Sequence, residues 1–179
     1  MYRIVFLLLA SIGLVACNNN DRVVSAWEVN DVYQATMVSS SAVAGQKTYV
    51  GPPINTMDAN NTYEMFNLRS TQSQSGVKTY ELVVMLTYYS QWRYYDSAVL
   101  ETSPATSFKV ISREAGVCED RGCIFKELLS IQLSDAFLKD RVKNGFQLTI
   151  SSKTGVNTDV FVPSQYIKGY LKAVDGTNY

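Results

Sequence analysis

The sequence predicts a mainly β domain, an antiparallel β-sandwich or barrel-like fold with two short α-helices in its C-terminal half. Three observations point there. The clearest pattern runs from Val77 to Tyr89, where Tyr80, Leu82, Val84, Leu86 and Tyr88 share one face at period two. Shorter runs of β-branched and aromatic residues recur along the chain, separated by Gly, Pro, Ser and Asn clusters. Helical spacing and capping residues occur together only in two late segments.

Taken in order, VYQATMV (Val32 to Val38) and KTYV (Lys47 to Val50) read as short strands, and Gly51-Pro52-Pro53 then breaks the chain. TYEMFNLR, from Thr62, is the next strand, and STQSQSG is a polar turn before the long run to Tyr89. On that run the apolar row faces the core, while Thr79, Glu81, Val83, Met85, Thr87 and Tyr89 make the other, half-polar face. Strands follow at Trp92 to Leu100, in SFKVIS, and in FKELLSIQL, where Phe125, Leu129, Ile131 and Leu133 align. Ser134 caps a helix over DAFLKDRVK, which has Asp135 in its first turn, basic residues in its last and Asn144-Gly145 to end it. FQLTISS and DVFV are the last strands. Ser164 caps a final helix with Ile167, Tyr170, Leu171 and Val174 at helical spacing, which Gly169 weakens unless something packs close to it. The whole comes to about seven to nine strands.

The stretch TYYSQWRYYD, Thr87 to Asp96, holds five aromatic rings. With Ser90 and Gln91 as a two-residue hairpin turn, Tyr88 and Tyr95 enter the core. Tyr89, Trp92 and Tyr94 then gather on the opposite face, with Arg93 beside them. That group is a cross-strand ladder or lies under a late helix if it is covered; if bare, it is a surface for a protein partner or for stacking a sugar.

Composition narrows the function. The chain has 179 residues, 46% of them apolar, which suits one domain, placed at 23–179. Sixteen basic and sixteen acidic residues balance, so no field steers it toward nucleic acid. Histidine is absent, which removes imidazole-activated nucleophiles and histidine-bearing metal sites. Local motifs give no replacement. Ser75 to Lys78 fits S-x-x-K, Ser134-Asp135 begins like S-D-N and Lys153-Thr154-Gly155 spells K-T-G, an echo of penicillin-binding enzymes. In that family, however, the serine opens a helix, whereas here Gly76 leads into the clearest strand pattern of the chain. Asp58, Asn60 and Thr62 hint at a calcium loop that lacks both its glycine and its glutamate. No cofactor or metal is expected.

The first residues, MYRIVFLLLASIGLVAC, combine Arg3, an apolar run ending at Val15, small Ala16 and Cys17, the grammar of an export signal. The run stops before the ~20 apolar residues a membrane-spanning helix needs. Leu14-Val15-Ala16-Cys17 resembles the lipobox of bacterial lipoproteins, a resemblance confined to residues 1–17. It implies removal of residues 1–16, lipid on Cys17, and a short tether at 17–22. Asn18, rather than aspartate, after the cysteine implies the outer membrane, with the domain facing the periplasm. In that oxidising compartment Cys118 and Cys123, the cysteines left over, pair as a disulfide that closes CEDRGC, with Gly122 easing the turn. The functional expectation is a lipid-anchored, non-enzymatic envelope protein that binds another envelope protein. The alternative is a glycan or cell-wall binding module using Tyr89, Trp92, Arg93 and Tyr94.

Overall fold

The computed structural model describes residues 27–41, 45–58, 62–101, 103–104, 107–120 and 122–179. The lipobox and Cys17 lie outside the described residues. Among the described residues eleven strands and three helices follow one another as α1 (Val29–Ala35), β1 (Met37–Ser41), β2 (Gln46–Val50), β3 (Ile54–Met57), β4 (Tyr63–Gln72), β5 (Lys78–Ser90), β6 (Tyr95–Leu100) and β7 (Ser103–Pro104). They continue as β8 (Phe108–Glu119), β9 (Gly122–Leu133), α2 (Asp135–Asp140), β10 (Phe146–Ser152), β11 (Asn157–Val162) and α3 (Ser164–Asp175). None of these helices is long and apolar enough to cross a membrane.

Among the described residues every strand pairing is antiparallel. The larger sheet has the order β1-β2-β4-β5-β9-β8, with β3 also on β4, and the smaller has the order β11-β10-β6-β7. Neither sheet closes on itself, so the barrel-like form of the expectation does not hold. The predicted inner row of β5 is fully buried from Tyr80 to Tyr88, and Phe125, Leu129, Ile131 and Leu133 of β9 lie beside it. One continuous core joins these rows to Tyr95, Leu148, Ile150, Val160 and Val162 of the smaller sheet and to side chains from all three helices.

Three local expectations need correction. Val32 to Val38 is not one strand: Val29–Ala35 is helical, and extended structure starts at Met37. The Thr36 hydroxyl and N–H both donate to the Val32 carbonyl, closing the helix. A helix of seven residues is marginal alone. It is held by packing on α3, where a Cβ on Gly169 would lie 2.4 Å from the Val29 carbonyl oxygen and 2.6 Å from Val32 Cβ. Gly169 is therefore the close approach that the sequence required for it. Secondly, Ser134 does cap α2, accepting from the Phe137 N–H at 3.0 Å, but the cap of α3 is Pro163, and Ser164 is the first helical residue. Thirdly, the expected hairpin at Ser90-Gln91 does not form, because β5 and β6 belong to different sheets.

α3 seals the large sheet near its Pro52 break. The Tyr166 hydroxyl donates to the Pro52 carbonyl at 2.7 Å and accepts from the Leu68 N–H at 3.2 Å. A Cβ on Gly51 would lie 2.5 Å from that hydroxyl oxygen, so the glycine of the Gly-Pro-Pro break is set by a helix far along the chain.

Candidate functional site: an aromatic cluster pinned by a buried carboxylate

Glu127 stands in the inner row of β9, between Phe125 and Leu129, and has no solvent exposure. A carboxylate there needs donors on both oxygens. It accepts from the Tyr94 N–H at 3.0 Å, the Tyr95 N–H at 3.1 Å, the Arg113 Nε at 2.8 Å and the Tyr88 hydroxyl. Arg113 also donates to the Tyr95 carbonyl at 2.9 Å. This explains the missing hairpin. The amides that would have continued a ladder with β5 are turned onto a carboxylate, and the chain leaves the large sheet through positive φ at Ser90 (93°) and Tyr94 (55°).

The crossing segment carries the predicted site residues. Trp92 stacks on Tyr94 with ring centroids 5.8 Å apart and 30° between planes, and it meets Phe125 at 4.6 Å. The Arg113 guanidinium lies 5.4 Å from the Tyr94 ring centre. Tyr94 is 44% exposed and Trp92 is half-buried. Tyr89 is 37% exposed and pairs in register with Ile124. Alternation along β5 turns Tyr89 to the side away from Tyr88, so Trp92 and Tyr94 gather with Phe125 and not as one cross-strand group with Tyr89.

Arg93 does not join an outer surface. Its guanidinium lies 4.4 Å from the Tyr88 ring centre and donates to Thr62 Oγ1 at 2.6 Å and to the Tyr95 hydroxyl at 3.1 Å. Tyr95 in turn is 2.8 Å from Thr158 Oγ1. Burial raises the Tyr88 phenol well above its ordinary value, and its hydrogen bond to Glu127 raises it further.

Cys118 and Cys123 are bonded to each other across the β8–β9 hairpin, the pairing expected of them. Gly122 has φ 104° in the turn, and Cys123 pairs with Ser90, so the staple abuts the start of the crossing segment. The motif fragments have other uses. Lys78 pairs with Asp175, Ser134 is a helix cap, and Lys153-Thr154-Gly155 sits in the β10–β11 turn. Asp58 accepts the Thr62 N–H at 2.8 Å and Thr158 Oγ1 at 3.4 Å, which ties down a loop end.

Among the described residues, clefts also lie on other parts of the large sheet. One of about 260 Å³ is lined by polar residues including Thr79, Glu81, Ser130 and Gln132. Another, about 140 Å³, is mostly apolar, with Met65, Val83, Met85 and Leu128. Sequence reasoning missed Glu127 and Arg113 as the organisers of the site. A glutamate breaking an otherwise apolar inward row was the available signal. No protein-family model, curated protein or solved structure matches the chain.

Proposed function

We propose that this chain is a lipid-anchored, non-enzymatic protein of the bacterial cell envelope, held by lipid on Cys17 at the outer membrane and facing the periplasm. Its role is to bind another envelope protein through the Trp92–Tyr94 edge, and its two sheets pack as a sandwich. The single core shared by both sheets supports the sandwich. The observation that carries the binding role is the stacked, half-exposed Trp92–Tyr94 pair fixed by a fully buried carboxylate. Rigid aromatic groups of this kind lose little entropy on association and anchor protein interfaces.

Two features favour a protein over a sugar. Trp92 already packs on Tyr94 and on Phe125, which leaves ring edges more than an open ring face for stacking a pyranose. Arg93, a natural hydrogen-bonding partner for sugar hydroxyls, is turned inward onto Thr62 and Tyr95. Position favours a partner over the anchoring membrane. α1, the first described element, packs on α3, whose last turn pairs with Lys78 at the opposite end of β5 from Ser90. At strand rise Lys78 and Ser90 are roughly 40 Å apart, so the aromatic edge lies at the far end of the large sheet from the end of α3.

The test is crosslinking in the native envelope followed by capture of the protein, wild type against Trp92→Ala. The expected result is a protein partner recovered with the wild type and lost with the variant. Recovery of the same partners from both would remove the aromatic edge from the account. An intact mass showing an unmodified Cys17 would remove the anchor.

A further inference from the structure

The polar and the apolar cleft of the large sheet share a border. Alternation puts Thr79, Glu81, Val83 and Met85 of β5 on the outer face, away from the buried row that runs from Tyr80 to Tyr88. Pairing sets Arg69 beside Glu81 and Val83 beside Ser130. Glu81 and Ser130 line the polar cleft, Arg69 and Val83 the apolar one, so each pair straddles the boundary and the two clefts run on as one trough. None of the residues lining it comes from a helix or from the smaller sheet. From Thr79 to Met85 it spans about 20 Å at strand rise.

The two ends differ in chemistry. At the polar end, about 260 Å³, Thr71, Thr79 and Ser130 bring hydroxyls. The Glu81 carboxylate accepts from the Ser130 hydroxyl and lies 3.8 Å from the Arg69 guanidinium, so its charge is met within the protein. Lys109 pairs in register with Ser130, is exposed, and makes no ion pair among the described residues. The uncompensated charge at this end is therefore positive. At the other end Met65, Val83, Met85 and Leu128 enclose about 140 Å³, with Val83 only 7% exposed between its neighbours. That space takes part of one acyl chain and leaves no room for a second beside it, and unbranched methionines adapt to such a chain.

We propose that the trough binds a monoacyl glycerophospholipid with an anionic head. The phosphate sits at Lys109, the glycerol hydroxyls among Thr71, Thr79 and Ser130, and the start of the chain over Val83 between Met65, Met85 and Leu128. Opposite polarity at the two ends selects an amphiphile, the positive end an anionic head, and the narrow apolar end a single chain. A free sugar would leave the apolar end uncovered, and a free fatty acid has no hydroxyls for the polar end. Trp92 and Tyr94 take no part in lining the trough, so this site and the aromatic edge stand or fall separately.

Photolabelling tests the proposal. Full-length protein in phosphatidylcholine nanodiscs is exposed to lysophosphatidylglycerol that carries a diazirine on its chain, and the labelled residues are mapped by mass spectrometry. The expected result is labelling at Met65, Val83, Met85 or Leu128. Lys109→Glu should reduce it by about tenfold or more and Thr79→Val by a few-fold, both at exposed positions and with the melting temperature unchanged. Diazirine analogues of a free fatty acid and of diacyl phosphatidylglycerol should each label these residues about tenfold less. Trp92→Ala should leave the labelling intact. No labelling, labelling elsewhere, indifference to Lys109→Glu, or equal labelling by the fatty acid would overturn the proposal. Equal labelling by the diacyl lipid would overturn it as well, since the face would then rest on a bilayer.

Discussion

Replacing Gly169 by alanine should destabilise this protein, against the usual sign for a helical glycine. In an unobstructed helix the change gains about 0.8–1 kcal/mol from propensity. Here the new methyl would sit 2.4 Å from the Val29 carbonyl oxygen and 2.6 Å from Val32 Cβ, where ordinary contact starts near 3.4 Å. A backbone carbonyl cannot rotate away, so α1 has to retreat by about 1 Å from α3. Val32 is fully buried at that seam, a burial worth about 1.5–3 kcal/mol, and overpacking of this kind costs about 1–3 kcal/mol. Subtracting the propensity gain leaves a net loss that centres on roughly 1 kcal/mol and reaches roughly 2, or a melting temperature lower by roughly 2–8 °C for a chain of this size. Urea unfolding of wild type and Gly169→Ala measures the loss, and hydrogen exchange at Val29–Ala35 shows whether α1 alone is loosened. A variant as stable as wild type, with α1 amides equally protected, would refute the claim that α1 is held by this close approach.

Glu127→Gln should cost about 3 kcal/mol in chemical denaturation, because the carboxamide NH2 must face either the Tyr88 hydroxyl and Tyr94 N–H or the Arg113 Nε–H and Tyr95 N–H, and the near-ultraviolet signal of Trp92 should fade with it. Loss of the disulfide in Cys118→Ser should lower stability by about 2 kcal/mol for so short a loop without unfolding the domain, since Cys118 is exposed and outside the core; collapse of the thermal transition would contradict this. Tyr80, Tyr88, Tyr166 and Tyr170 have phenols raised mainly by burial. The unfolded chain ionises these groups near pH 10 and the folded one only above that. Stability should therefore be level up to about pH 9 and fall as pH rises beyond about 10, and a pH series of unfolding curves with no fall there would contradict their burial.

Period-two alternation was enough to assign the inner face of β5 and of β9, because a side chain's face depends only on its own strand. The Ser134 cap and the Cys118–Cys123 pair were legible for a similar reason, each being closed by residues three and five positions away. The aromatic segment was not. Alternation sends Tyr88 and Tyr95 inward whether or not the strands pair, so the pattern fitted a hairpin that the chain does not make. The deciding partner, Glu127, lies 33 residues beyond Tyr94 and 32 beyond Tyr95. Arg93 was expected near the surface and instead faces Thr62, 31 residues before it.

By itself, then, the sequence determined which residues go inside, that the domain is built from antiparallel strands, and where several turns and caps fall. All of these follow from the local stereochemistry of a few neighbouring residues. Tertiary structure alone decided that Val29–Ala35 is helix, that β5 and β6 part into different sheets, and that Trp92 and Tyr94 stack together while Arg93 turns away. In each case a buried polar or close-packed group from a distant segment supplies the partner, and no short window of sequence contains both halves of such a contact.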